Sequence, residues 1–318
     1  MNRCLVTGGT GFVGSNLVRR LVAQGHEVFL LVRARHATWR IQDIGPDVRL
    51  LEADVSDPEA VRRAVAEASP RWVFHLAAFG AYASQDDLAR MLQVNVRGTA
   101  NLIDACRAAG VEALVNAGSS SEYGFQNEAP GEDQRLEPNS HYAATKAAAT
   151  HLCRQAARES GAWIPTLRLY SVFGPYEEPT RLIPTLIREG REGRLPPLVH
   201  PEIARDFVYV DDVVDACLAA AAAPNRGDPG AVYNVGTGTQ TTLREVVDMA
   251  RRSLGIAAAP QWKTMANRRW DTSSWVADSR KIRQELAWEP RFSLAEGFRR
   301  TVDWSSENLR ASAPTPGP

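Results

Sequence analysis

The feature that most constrains this chain stands at its start, in Val6-Thr7-Gly8-Gly9-Thr10-Gly11-Phe12-Val13-Gly14. The apolar run Cys4-Leu5-Val6 precedes it, and Leu17-Val18-Arg19-Arg20-Leu21-Val22 follows with apolar residues three and four apart. That order reads as strand, glycine turn, amphipathic helix. Gly8 can turn sharply off the strand, Gly11 leaves the backbone bare for an anion, and Gly14 lets helix and strand pack closely. The free N–H groups at the helix start, reinforced by its dipole, then face a phosphate. A second strand over Glu27–Val32 supplies the context that separates a dinucleotide-binding turn from ordinary loop glycines.

The totals exclude several classes. Basic and acidic residues both number 37 in 318, so no overall charge draws the chain to nucleic acid or to a membrane surface. Cys4, Cys106, Cys153 and Cys217 are widely spaced and form no Cys-x-x-Cys pair, which points to buried thiols in a reducing compartment and to no metal centre. The N-terminus enters a strand without a secretory signal, and no stretch approaches the roughly 18 apolar residues of a membrane span. A soluble, cytoplasmic protein is expected.

Strand and helix patterns alternate through the first half. Strands fall near residues 3–7, 27–32, 48–52, 72–76, 113–117 and 164–169, and helices near 12–24, 58–68, 87–109 and 141–160. This alternation predicts an α/β fold, a Rossmann-type doubly wound parallel sheet with helices on both faces. After Gly174 prolines become frequent and the pattern irregular, as suits a smaller C-terminal α/β part that shapes a pocket. The expected division is a dinucleotide-binding domain over 1–174, a mainly substrate-binding part over 175–310 with some return to the Rossmann core, and a disordered tail over 311–318.

The Gly-x-x-Gly-x-x-Gly spacing and the run TGGTGFVG resemble the short-chain dehydrogenase/reductase superfamily, in its extended branch of nucleotide-sugar epimerases, dehydratases and reductases. The resemblance places a cofactor against Gly8, Gly11, Phe12, Val13 and Gly14. It sets Asp54 and Val55 beside the adenine, and small Ala77 and Ala78, after Leu76, where the cofactor nears the fourth strand. The backbone at Tyr170 and Val172 would meet the nicotinamide amide. Arg33, at the end of the second strand, carries its own argument: an acid there would hold the ribose hydroxyls of NAD, whereas an arginine can pair with a 2′-phosphate. NADP(H) is therefore preferred and NAD remains possible, the alternative being that Arg33, Arg35 and Arg40 form a solvated loop. His75 reads as a core histidine, and Asn95, by the resemblance, as a structural residue behind the site.

The fifth strand ends in Gly118-Ser119-Ser120-Ser121-Glu122-Tyr123-Gly124, and the next helix carries Tyr142-Ala143-Ala144-Thr145-Lys146. A spacing of four puts the Tyr142 phenol and the Lys146 ammonium on one helix face. A phenol is a poor base near neutrality, and positive charge beside it favours the phenolate. Tyr142 can then exchange a proton with a sugar oxygen while Ser119 holds that oxygen by a hydrogen bond. Lys146 would also bind the nicotinamide ribose. Counting back from Tyr123 selects Ser119 as the catalytic serine, while anchoring on Glu122 selects Ser120. In the dehydratases of this family a glutamate lies two residues before the tyrosine of the Tyr-Gly pair; here Ser121 stands there, which argues against elimination.

For the substrate, the resemblance assigns Ser120 and Ser121 to sugar contacts and Arg205 to a diphosphate, with Arg268 or Arg269 as a second arginine and Arg269 preferred. Ser171 stands where the family has an asparagine. Asp211 or Asp212 is expected to cap a helix over 213–223. The reading is an NADPH-dependent reductase of a 4-keto-6-deoxy nucleoside-diphosphate sugar, hydride coming from the nicotinamide and the proton from Tyr142. The alternative is an NAD-dependent nucleotide-sugar epimerase similar to UDP-glucose 4-epimerases; a non-enzymatic NADP-binding sensor is the remote one. By the resemblance the chain pairs as a homodimer through the helices near 87–109 and 141–160.

Overall fold

A computed structural model of the chain describes residues 1–82, 84–223, 227–267 and 272–312. β1 (Arg3–Thr7) leads through the glycine turn into α1 (Phe12–Ala23), followed by β2 (Glu27–Val32), β3 (Val48–Glu52), α2 (Pro58–Ala68) and β4 (Trp72–His75). α3 (Leu88–Met91) runs through a π-helical stretch, Leu92–Arg97, into α4 (Gly98–Ala108); β5 (Ala113–Ser119), α5 (His141–Ser160) and β6 (Thr166–Leu169) complete the regular alternation. Then come β7 (Ser171–Phe173), α6 (Leu182–Gly190), β8 (Ala204–Arg205), β9 (Phe207–Tyr209), α7 (Val210–Ala222), β10 (Val232–Val235), β11 (Thr241–Thr242), α8 (Leu243–Leu254), α9 (Arg280–Leu286) and α10 (Leu294–Ser312).

Seven strands form one sheet in the order β3-β2-β1-β4-β5-β6-β10, every neighbouring pair parallel. Alternate side chains of each strand feed opposite faces, as the pleat dictates. Cys4, Val6, Val28 and Leu30 pack with Leu17, Val18 and Leu21 of α1 and with Val213, Val214 and Cys217 of α7. Leu5, Phe29, Leu31 and Val73 pack on the other side with Val61 and Val65 of α2, Leu102 and Ile103 of α4, and Cys153 of α5. Each such fully buried aliphatic side chain contributes about 1.5–3 kcal/mol. A third core joins α6, β9, α8 and α10 around Leu186, Ile187, Tyr209, Val246, Val247 and Phe298. The strand order reverses between β1 and β4, and in such sheets ligands bind in the crevice beyond the strand ends at that point.

Three expectations are corrected. The helix expected over 87–109 is divided by the π-helical stretch. α7 starts at Val210, so Asp211 and Asp212 lie in its first turn and cap nothing; Asp212 is wholly buried and accepts the N–H groups of Arg291 (2.9 Å) and Phe292 (3.3 Å). The expected tail begins at 311, yet α10 continues to Ser312; 313–318 lie outside the described residues.

Candidate active site

The glycine turn is built as its spacing requires. Gly8 has φ +72°, and a Cβ there would stand 2.6 Å from the Ala77 nitrogen and the Leu76 carbonyl carbon. A Cβ on Gly14 would stand 2.1 Å from the Gly8 oxygen. One on Gly11 would meet the Gly8 oxygen alone, at 3.1 Å, and otherwise open space. Gly11 is also the N-cap of α1 and offers no side chain to its N–H groups, while Phe12 and Val13 form the first turn without an acidic residue. Bare backbone, open space and uncapped donors fit the pyrophosphate of a dinucleotide.

The other residues that the sequence assigns to the cofactor fall past the ends of β2, β3, β4 and β6 and in β7. Arg33 is exposed just past β2. Ala77 donates its N–H to Thr7 Oγ1 at 3.3 Å, with Ala78 exposed beyond it. Asp54 accepts from Ser56 and, at 2.8 Å, from Arg90; burial alone would raise its carboxyl, but these partners hold it at about 2. Val55 packs where a Cβ on Gly98 would lie. Tyr170 is buried at the end of β6, and its hydroxyl has no hydrogen-bond partner among the described residues; Val172 is half-buried in β7.

His75 sits wholly inside, with Nδ1 2.7 Å from Thr7 Oγ1 and Nε2 3.0 Å from Thr99 Oγ1, and burial lowers it to about 3. Asn95 ties the Phe79 backbone to Thr145 on α5 (2.9 Å), one residue before Lys146. Both act as the sequence suggests, as supports.

The serine run leaves β5 as a single 3₁₀ turn, Ser120–Tyr123, closed by a capping box of the Ser-x-x-Glu kind. Ser119 caps it: its Oγ accepts the Ser121 N–H at 3.2 Å, and its own N–H donates to Glu122 Oε1 at 2.8 Å. Ser119 Oγ also lies 2.7 Å from Ser121 Oγ. α5, capped by Ser140, brings Tyr142 to Ser119. Burial pushes the Tyr142 phenol up to about 12; Ser119 and the Arg181 guanidinium pull the other way. Lys146 is almost wholly buried, which lowers its ammonium, while Glu122 supports the charge. In the protein alone, burial therefore dominates the phenol.

Glu122 does not face the cleft. It is completely buried, accepting from Thr150 Oγ1 and from Arg168 Nε, both at 2.9 Å. Arg168, itself 1% exposed, also donates to the Tyr123 hydroxyl (2.7 Å) and the Glu132 carbonyl (3.0 Å), and Tyr123 donates to Asn234 on β10.

Ser120 points elsewhere than Ser119: its hydroxyl accepts the Trp275 indole N–H at 3.1 Å. The Trp275 ring lies 5.3 Å from the Arg205 guanidinium. Asp206, next along, accepts the N–H groups of Thr237, Gly238 and Ala277 and so fixes the loops beside Arg205. Arg268 and Arg269 lie outside the described residues.

Glu177, Arg181 and Tyr82 carry no motif in the sequence, yet Arg181 and Tyr82 act electrostatically on Tyr142. Glu177 is nine-tenths buried with Oε2 unpartnered among the described residues; burial raises its carboxyl to about 7 despite Arg181 at 3.5 Å. Its position after Gly-Pro was the available signal. Among the described residues no three His, Cys, Asp or Glu side chains are grouped to hold a metal, and no helix is long and apolar enough to cross a membrane.

A parallel sheet with a glycine turn suited to a phosphate at its switch point, and a serine at the end of β5 beside a tyrosine on α5, defines a nicotinamide-dinucleotide-dependent enzyme. Residues 4–236 match the NAD dependent epimerase/dehydratase family, and the chain belongs to that family, within the extended short-chain dehydrogenases/reductases. It is 32% identical to a UDP-glucose 4-epimerase of Mycolicibacterium smegmatis, over 95% of this chain and 98% of that one. A dTDP-glucose 4,6-dehydratase of Streptomyces antibioticus is 29% identical, over 96% and 92%. The crystal structure of the Thermus thermophilus UDP-glucose 4-epimerase in complex with NAD superposes with a TM-score of 0.83 at 32% identity, covering 98% of this chain and all of that one.

Proposed function

We propose that the protein is a nucleoside-diphosphate-sugar 4-epimerase that retains its nicotinamide cofactor. One observation carries the choice over a dehydratase: Glu122, the carboxylate of the serine turn, is turned inward and paired with Arg168, and Ser121 occupies the place of the dehydratase glutamate. The turn thus offers no acid or base for elimination, whereas Ser119, Tyr142 and Lys146 suffice for oxidation and reduction at one carbon. The relatives named as UDP-glucose 4-epimerases support the same reading.

A bound nicotinamide would supply a hydride acceptor and donor for the sugar's C4, and inversion would require the 4-keto sugar to present its other face before the hydride returns. Tyr142 takes the proton of the 4-hydroxyl and gives it back; Ser119 donates a hydrogen bond to the same oxygen; Lys146 holds the ribose. Arg205, stacked against Trp275, holds the substrate's diphosphate, a task suited to a permanently charged guanidinium. Gly8, Gly11 and Gly14 leave room for the pyrophosphate of the cofactor.

A second reading, reduction of a 4-keto-6-deoxy nucleotide sugar by exchangeable NADPH, is favoured by Arg33, exposed at the end of β2 with no acid beside it in Val32-Arg33-Ala34. Denaturing the purified protein and identifying the released nucleotide by mass spectrometry separates the two. Near-stoichiometric NAD, with interconversion of UDP-glucose and UDP-galactose lost in Tyr142→Phe, is expected. An empty protein that oxidises NADPH with a 4-keto sugar nucleotide, and binds NADP⁺ at least tenfold more weakly as Arg33→Ser, would transfer the assignment to the reductase.

A further inference from the structure

We propose that Ser121 is a positioning residue that commits the Ser119 hydroxyl to act as a donor toward the reacting oxygens. The inference rests on the proton-transfer reading above and goes beyond it, because Ser121 was assigned only a sugar contact.

A serine hydroxyl has one proton and two acceptor sites. Ser121 addresses both acceptor sites of Ser119, with its backbone N–H at 3.2 Å and its hydroxyl at 2.7 Å. When the Ser121 hydroxyl donates, the single proton of Ser119 is left for one reacting oxygen at a time, the Tyr142 phenolate in the absence of sugar and the substrate oxygen once it is bound. Two hydroxyls in series also polarise one another, so the outer one strengthens the inner as a donor. A hydrogen bond to an ionised oxygen is about twice as strong as one between neutral groups, so this support acts more on the phenolate than on the phenol.

The backbone makes the arrangement dependable. The 3₁₀ turn holds Ser119 and Ser121 on the same side, two residues apart, and Glu122 Oε1 pins the Ser119 N–H from the core at 2.8 Å. Arg168 and Thr150 fix that carboxylate in turn, each at 2.9 Å. Ser120 is excluded from this role because its hydroxyl faces Trp275.

Three variants decide the matter: Ser121→Ala, Ser121→Thr and, as the control on the underlying reading, Ser119→Ala. With NAD-loaded protein and UDP-glucose, Ser121→Ala is expected to lower kcat about three- to tenfold with little change in KM, and Ser121→Thr to restore it. A readout independent of the sugar is the phenolate absorbance of Tyr142, isolated by subtracting Tyr142→Phe in the presence of NAD. Its midpoint should rise by about 0.5 to 1 in pH in Ser121→Ala and return in Ser121→Thr. If Ser119→Ala lowers turnover or raises the midpoint while Ser121→Ala matches the parent, the positioning role is overturned. A rise in KM with kcat and midpoint unchanged makes Ser121 a plain substrate contact and also overturns it. If Ser119→Ala alters neither readout, the role given to Ser119 in the proton-transfer reading fails and the positioning role of Ser121 falls with it.

Discussion

Replacing Arg168 by methionine removes the guanidinium at the centre of the buried network while keeping most of the side chain's length. Three hydrogen bonds disappear, to Glu122 (2.9 Å), the Tyr123 hydroxyl (2.7 Å) and the Glu132 carbonyl (3.0 Å), together with the guanidinium over the Tyr123 ring at 4.5 Å. Glu122 is left 0% exposed without its ion-pair partner, opposed only at longer range by the Lys146 ammonium, though it keeps the Ser119 N–H and Thr150. Breaking a buried pair from one side costs about 3–5 kcal/mol, and the two surviving bonds place this case near 3. In a chain of 318 residues that lowers the melting temperature by about 4–5 °C. Urea unfolding followed by the fluorescence of the eight tryptophans measures it. The double variant gives a sharper test: with Glu122→Gln added, the carboxylate stripped of its ion pair is gone, and the total loss should be smaller than for Arg168→Met alone. Losses that simply add would refute the idea that the uncompensated carboxylate is the source of the cost.

Two further perturbations follow from the site. Gly14→Ala puts a methyl 2.1 Å from the Gly8 oxygen, which must displace the phosphate turn; calorimetry should show NAD binding weakened at least tenfold, and unchanged affinity in a folded variant would contradict the glycine's role. Glu177 is raised by burial to about 7 in the folded protein from an ordinary 4.5, so its contribution to stability is fully present below about pH 4.5 and is lost as pH rises toward 7 and beyond. In nucleotide-free protein, Glu177→Gln should therefore stabilise at pH 8 relative to pH 5, by up to about 3 kcal/mol, and an equal effect at the two pH values in thermal melts would rule out the buried carboxyl as cause.

Much of the fold is legible because local patterns sufficed. The apolar runs of β1 to β4 sit where the sequence puts them, since each is decided by residues within one strand. Counting from Tyr123 prefers Ser119 and anchoring on Glu122 gives Ser120, and the two serines part in the structure, Ser119 meeting Tyr142 and Ser120 meeting Trp275. What sequence could not supply is long-range: Trp275 meets Ser120 across 155 positions, and Asn234 meets Tyr123 across 111. Such contacts follow from tertiary packing and leave no local trace. Asp212 misled for the opposite reason, because an aspartate ahead of an apolar helix looks like a cap until its carboxylate is found serving the Arg291–Phe292 backbone.

The return of the chain to the first sheet has a mechanical meaning. β10 lies beyond α6 and α7, yet its four residues are zipped in parallel against β6, and its Asn234 also grips Tyr123, Pro130 and Asp278. Swinging the segments around Arg205 and Trp275 away from the sheet as one rigid leaf would tear out that strand. The cleft is therefore bolted rather than hinged, and exchange of ligands through it falls to loops and side chains at the rim.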